Sequence, residues 1–405
     1  MQKQDALGLS YSTPANTPIA RFDEIMESYL QFKPDTMVKL NSLLEQDSAW
    51  PMALILKGHL LKMGSDPRFS PAIKNCQDSL TTLALNHREE RHVAAFNHWL
   101  DDDINAALKQ FEQILQTYPT DLIALKAAHN LHFYQGDATS MYQSIGRVLP
   151  AWPEQHIWRS FVLGMYSFGL EESGQYQLAE ATGKEAIALN PYDLWAAHAV
   201  THVYHMQHRW LEGVDWLSEL IPVWTDTNNF VYHLHWHRAI LYLSNGDAET
   251  ALAIYDEALT QPLQDDLYLD VCNAASLLWR LQMRGLDVRD RWQSLQSWRH
   301  RASDDELVFI TLHYLMAPAV LKDQATIARS LDAIRAWSQR TGQQAGICKE
   351  VGLTTAEALV DIGQNRTVSG VDKLKQVEDR LYTIGGSHAQ RQLFRDLIHH
   401  YSRNT

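Results

Sequence analysis

The stretch AILYLSNGDAETALAIYDEA, Ala239 to Ala258, decides the fold. Ala239 and Tyr242 precede a Gly246-Asp247 turn, and Ala251, Tyr255 and Ala258 then recur at helical spacing on one face. Helix axes approach closely only where side chains are short, so these alanines mark the crossing of two helices joined by the turn.

The same rhythm appears elsewhere. Gly174, Tyr176, Ala179, Ala186 and Pro191 supply a turn, a second helix and a terminating proline; Ala95, Ala107, Phe111 and Pro119 fall at comparable intervals. Leu125 to Pro153 carries Gly136-Asp137 at its turn. In NPYD (Asn190–Asp193) and YPTD (Tyr118–Asp121), proline stops one helix and the acid is placed to cap the next. A unit of about 34 residues with small residues at the crossing is the tetratricopeptide pattern. The expected fold is all-α: one solenoid of tetratricopeptide-like helix-turn-helix repeats over residues 1–405, wound as a right-handed superhelix. Residues 1–18 read as a polar N-terminal segment, 90–262 as the most regular repeats, and 263–405 as degenerate repeats and a cap. Ile19 to Met63 reads as two amphipathic helices, a turn is expected near Asp323, Gly363 to Gly370 reads as a loop, and Ala389 to His400 as a closing helix. Strand signals are absent.

Composition narrows the function classes. A net charge of −13 disfavours nucleic acid, and the basic stretch Arg284 to Arg301 is broken by Asp287, Asp290 and tryptophans. Cys76, Cys272 and Cys348 are scattered, which supports neither a disulfide framework nor a cysteine zinc site. The first residues lack the order of a signal peptide, and no apolar run approaches the ~20 residues of a membrane span. A cytoplasmic protein without membrane or nucleic-acid partners is expected; homo-oligomerisation is compatible with the sequence. Phosphate-binding glycine loops, serine nucleophile elbows and Cys/His dyads are missing.

YSFGLEESGQY (Tyr166–Tyr176), HAVTHVYHMQHRWLEGVDWL (His198–Leu217), WHRAILYLSNGDAETALAIYD (Trp236–Asp256) and AASLLWRLQMRGLDVRDRW (Ala274–Trp292) resemble the tetratricopeptide repeat protein 38 family. DPRFSPAI (Asp66–Ile73) and TLHYLMA (Thr311–Ala317) fit it too, so the resemblance covers nearly the whole chain. It implies architecture and no specific activity. It also implies histidines at positions matching His129, His198, His202, His233, His237 and His313. Where that family reads MQGR, this chain reads MQHR, so His208 replaces a turn glycine.

Two H-x3-H pairs, His198/His202 and His233/His237, set imidazoles one turn apart on one helix face, as in helical zinc sites. Counted from the turns, His198, His202 and His205 line the concave groove; Glu171 and His233 face it from adjacent repeats, and His313 from a later one. His198, His202, His233 and His237 are the candidate ligands of a divalent metal (Zn, Mn or Fe). The glutamate of HExxH is missing, so Glu171 or Glu172 would supply the carboxylate. The candidate catalytic groups are His198, His202, His237 and Glu171; the candidate ligand-binding groups are His129, Glu172, Trp195, His205, His233, Trp236 and His313. Each has a structural alternative: His129 sits near a helix crossing, Glu171 and Glu172 suit a solvated or capping role, and Trp158, Trp195, Trp236 and Trp279 suit packing between repeats. His235 points away from its neighbours. Three readings stay open. The groove binds a small molecule or peptide, the histidines make an enzyme, or the chain is a plain interaction scaffold.

Overall fold

The structure is a computed structural model that describes residues 2–13 and 18–403, except the side chains of Gln2 and residues 296–298. Residues 1 and 14–17 of the polar N-terminal segment therefore lie outside it. The chain packs as two compact units: unit 1 is Met1–His132, Asp137–Val203 and Glu219–Val231, and unit 2 is Phe133–Gly136, Tyr204–Ser218 and Tyr232–Thr405.

Unit 1 opens with a hairpin, β1 (Gln2–Gln4) antiparallel to β2 (Ser10–Ser12). This corrects the strand-free reading. Gly8 turns the chain at φ 79°, and Leu9 and Tyr11 alternate inward from an otherwise polar run too short to register as a strand. Arg88 lies 4.6 Å from the Tyr11 ring and donates to the Ser10 carbonyl, which ties the hairpin down. Arg88 also donates to Asp121 at 2.8 Å, and His92 lies 2.9 Å from the same oxygen. Burial works against the Asp121 charge, but His92 and Arg88 outweigh it and hold the carboxyl well below its usual range.

The helices of unit 1 are α1 (Ala20–Leu30), α2 (Thr36–Gln46), α3 (Pro51–Met63), α4 (Ser70–Leu80), α5 (His87–Leu100), α6 (Ile104–Thr117), most of α7 (Leu122–Tyr134), α8 (Ala138–Val148), α9 (Arg159–Glu172), α10 (Tyr176–Leu189) and most of α11 (Leu194–Met206). Ile19 to Met63 thus holds three helices and not two, because Pro51 occupies a first-turn position and starts α3. Unit 2 holds most of α12 (Trp210–Leu220) and α13 (Phe230–Ser244), then α14 (Ala248–Ile254), α15 (Tyr268–Met283), α16 (Arg289–Ser294), α17 (Val308–Leu321), α18 (Gln324–Trp337), α19 (Gln343–Ile347), α20 (Leu353–Gly363), α21 (Thr367–Val377) and α22 (His388–Ser402).

One turn geometry recurs. Asp102, Gly136, Gly174, His208, Gly246, Gly285, Lys322 and Asn365 all have left-handed backbone. The next residue's N–H reaches back to the carbonyl five positions before it: Asp103 to His98, Asp137 to His132, Gln175 to Leu170, Arg209 to Tyr204, Asp247 to Tyr242, Leu286 to Leu281, Asp323 to Pro318, Arg366 to Asp361. This is the Schellman closure of a first helix, repeated at intervals of about 34 to 43 residues. Asp103, Asp137, Asp247 and Asp323 then cap the second helix through their carboxylates. Asp121 and Asp193 cap α7 and α11 in the same way, as the YPTD and NPYD spacing predicts. The fold is an all-α helical-repeat array, and its turns continue regularly through Asn365.

Helix crossings sit where the small residues fall. Ala239 and Ala251 are fully buried, and Ala258 nearly so. In unit 1 a Cβ on Gly183 would meet Val200 at 2.4 Å and Ser167 at 2.8 Å, so α10 needs glycine where it packs between α9 and α11. The predicted loop Gly363 to Gly370 narrows to 364–366: Gly363 ends α20, and Gly370 lies inside α21 because a Cβ there would strike Ile362. All three cysteines are free and buried, and no helix among the described residues is long and apolar enough to cross a membrane.

Candidate functional site

The candidate site of unit 1 is built by α9 and α11. Asn190-Pro191 breaks the chain and Asp193 caps α11, so Trp195, His198 and His202 rise along one helix face. Glu171 and Glu172 close the last turn of α9, just before the left-handed Gly174. The helices bring Nε2 of His202 to 2.9 Å from Nε2 of His198, with ring centroids 4.4 Å apart. On the other side of the His202 ring, Nδ1 lies 3.4 Å from Glu171 Oε2 and 3.9 Å from Glu172 Oε1. Ligand atoms of Glu171, Glu172 and His202 all fall within 4.8 Å of one another. Glu171 and His202 are fully buried, His198 is 3% exposed and Glu172 7%.

Aromatic rings set the walls. Phe168 stacks on His198 at 5.3 Å and meets His202 edge-on at 5.4 Å. Trp195 and Phe230 flank His198 at 5.1 and 5.5 Å. A carboxylate on Nδ1 orients an imidazole and raises the basicity of its Nε2, the usual outer support of a metal-binding histidine.

Unit 2 carries the second pair on α13. Nε2 of His237 lies 3.2 Å from Nε2 of His233, and His233 Nδ1 lies 2.9 Å from Asn273 Oδ1 on α15. That contact makes His233 Nδ1 the N–H donor, so its Nε2 lone pair faces His237. Trp236 stacks on His233 at 5.2 Å and donates to Ser276. Both imidazoles are buried.

The remaining predicted residues are placed as follows. His205 is half-buried in unit 2, with Nε2 3.5 Å from the Ser244 hydroxyl. His313 is enclosed in α17, where Nδ1 donates to the Phe309 carbonyl at 2.8 Å; burial lowers its pKa to about 4. His129 packs in α7 against Phe168 and Trp195, with neither ring nitrogen hydrogen-bonded among the described residues. Two groups escaped the sequence reading altogether, Lys126 on α7 and the second oxygen of Asp193. The only local signal is a lysine inside the apolar run LIALKAAHNL, Leu122 to Leu131. A surface cleft on unit 2, bounded by Trp292, Asp287 and Lys322, contains none of the predicted site residues.

No protein-family model matches the chain. Among solved structures it is similar to a tetratricopeptide repeat protein from Parabacteroides merdae ATCC 43184, at 11% identity and a TM-score of 0.39, over 78% of this chain and 98% of that one. It is also similar to the P58(IPK) TPR domain, at 12% identity and a TM-score of 0.23, over 95% and 97% of the two chains. Likeness at this level carries no argument about the site. The helical-repeat assignment rests on the recurring turns and buried crossings.

Proposed function

We propose that this helical-repeat protein binds a divalent metal ion through His198 and His202, with Glu171 and Glu172 as supporting carboxylates, and holds a small ligand there. The observation that carries this reading is the meeting of two Nε2 atoms at 2.9 Å, with Glu171 behind one of them. Zinc–nitrogen bonds are about 2.0–2.1 Å long, so two such ligands 2.9 Å apart subtend roughly 90° at the ion. That is the angle between neighbours in an octahedron, which favours manganese or iron over tetrahedral zinc. The burial of the four side chains argues for an ion or small ligand and against a peptide lying in an open groove. The sequence-level ligand set also includes His233 and His237, which the same assay examines in parallel variants.

Tag-free protein incubated with Mn²⁺, Fe²⁺ or Zn²⁺, desalted and analysed for metal, is the test. Retention of bound manganese or iron by the wild type and its loss in His202→Ala is the expected result. A wild type that retains none of the three overturns the reading. A second reading, acid/base catalysis, draws on the same Glu171–His202 proximity: with the proton on the Nδ1 that faces Glu171, Nε2 would be the base. It requires turnover that survives metal removal.

A further inference from the structure

Lys126 is 8% exposed, and among the described residues its ammonium makes no hydrogen bond or ion pair. It sits instead among rings: Nζ is 5.1 Å from the Tyr29 centroid, 5.4 Å from Phe32 and 5.6 Å from Trp195. Those three aromatics are half-buried, so the cage reaches solvent on that side. One turn along α7, His129 is 1% exposed with both ring nitrogens unbonded among the described residues, and its ring lies 5.7 Å from the same indole. Asp193, fully buried, uses Oδ1 to cap α11 and leaves Oδ2 without a hydrogen bond among the described residues. Lys126 and His129 thus flank one tryptophan with hydrogen-bonding capacity left open among the described residues, and Asp193 lies within electrostatic reach of Lys126. Buried polar groups are ordinarily satisfied, and a set left open together points to a ligand that satisfies it.

The cage is built at a cost. Phe32 has φ 55°, a left-handed backbone unfavourable for an aromatic residue. It is held there by Asn228, which donates to its carbonyl at 2.6 Å, by a Lys33–Asp226 ion pair at 3.4 Å, and by stacking on Phe230 at 4.3 Å. Strain that surroundings enforce is commonly kept where it positions a group for binding.

We propose that Lys126 and His129 bind the carboxylate of a small aromatic monocarboxylic acid, whose apolar body lies against Tyr29, Phe32 and Trp195. One fixed cation beside a neutral imidazole matches a single negative charge, and Asp193 adds a carboxyl that disfavours dianions such as phosphate. Burial pushes the Asp193 pKa up to about 7, so at neutral pH this carboxyl is partly ionised. Burial also pulls Lys126 down to about 8, which leaves it mostly charged at neutral pH. The site does not depend on the metal reading.

The test is calorimetric titration of the full chain with sodium benzoate, benzamide and inorganic phosphate at fixed ionic strength. Benzoate is expected to bind saturably and to be preferred over both others. Lys126→Met should lose about 10- to 100-fold in benzoate affinity, the worth of a charge-assisted hydrogen bond. Lys126→Arg should retain most of it, and circular dichroism confirms that both variants fold. Absence of saturable benzoate binding, equal binding of benzamide, or unchanged affinity in a folded Lys126→Met overturns the proposal, and Lys126 and Asp193 are then a closed structural pair.

Discussion

His198/His202 in unit 1 and His233/His237 in unit 2 share one helical spacing and nearly one geometry, with ring centroids 4.4 and 4.6 Å apart and interplanar angles of 76° and 78°. Their outer partners differ. Two buried glutamates stand behind His202, whereas the amide of Asn273 stands behind His233. A carboxylate raises the basicity of an imidazole and offsets a cation's charge; an amide fixes the tautomer and supplies no charge. Equal spacing on the helix therefore does not mean equal chemistry, and the neighbouring helix decides.

The largest expected effect tests that difference. Glu171→Gln should weaken metal binding by about 10- to 100-fold, the usual consequence of losing an outer-shell carboxylate. Asn273→Asp should move the other way and strengthen metal binding, because it gives His233 the carboxylate that His202 already has. Metal titration of both variants against wild type checks the pair. If Glu171→Gln is neutral, the contrast between the regions is only structural.

Acid–base behaviour sharpens the comparison next. In unit 1 the buried Asp193 keeps its proton up to about 7, while the unfolded chain releases it near 3.8. The folded state binds more protons across that window, so this group lowers stability as pH rises through it. In unit 2 His313 takes up a proton only near 4, against 6.5 when unfolded, so its contribution to stability is lost as pH falls from 6.5 to 4. Each is worth on the order of 3 to 4 kcal/mol, with opposite sign. Relative to wild type, Asp193→Asn should gain stability with rising pH and His313→Gln with falling pH. Urea midpoints from pH 4 to 8 measure both.

The smallest effect concerns the turns. His208 has φ 60° where Gly246 fills the equivalent turn at 92°. His208→Gly should raise stability by about 1 kcal/mol, and Gly246→His should lower it by a similar amount. Thermal midpoints report it. An unstable His208→Gly would mean that the His208 ring, 5.5 Å from Trp210, matters more than its backbone.

What could be read from the chain divides along physical lines. Gly136, Gly174 and Gly246 announce their turns because glycine prefers a positive φ; Lys322 and Asn365 make the same turn, and lysine carries no such signal. Only the neighbouring Asp323 hinted at it. The hairpin was invisible because two buried apolar residues, Leu9 and Tyr11, followed by the polar Thr13, are too few to establish a hydrophobic period. The histidine pairs were legible from i, i+4 spacing, and Glu171 from its place before a turn. Lys126 was not, since a lysine is notable only once its surroundings are known. Asp193 was legible as a cap, and its unbonded oxygen was not.

Two imidazoles of α11 acting together on one cation are the core of the metal site. Anomalous diffraction at the manganese edge, from a crystal soaked in Mn²⁺, measures that directly. The expected density is a single peak about 2.0–2.2 Å from Nε2 of both His198 and His202. A manganese-soaked crystal with no peak there, the two rings still bonded to each other, would contradict it.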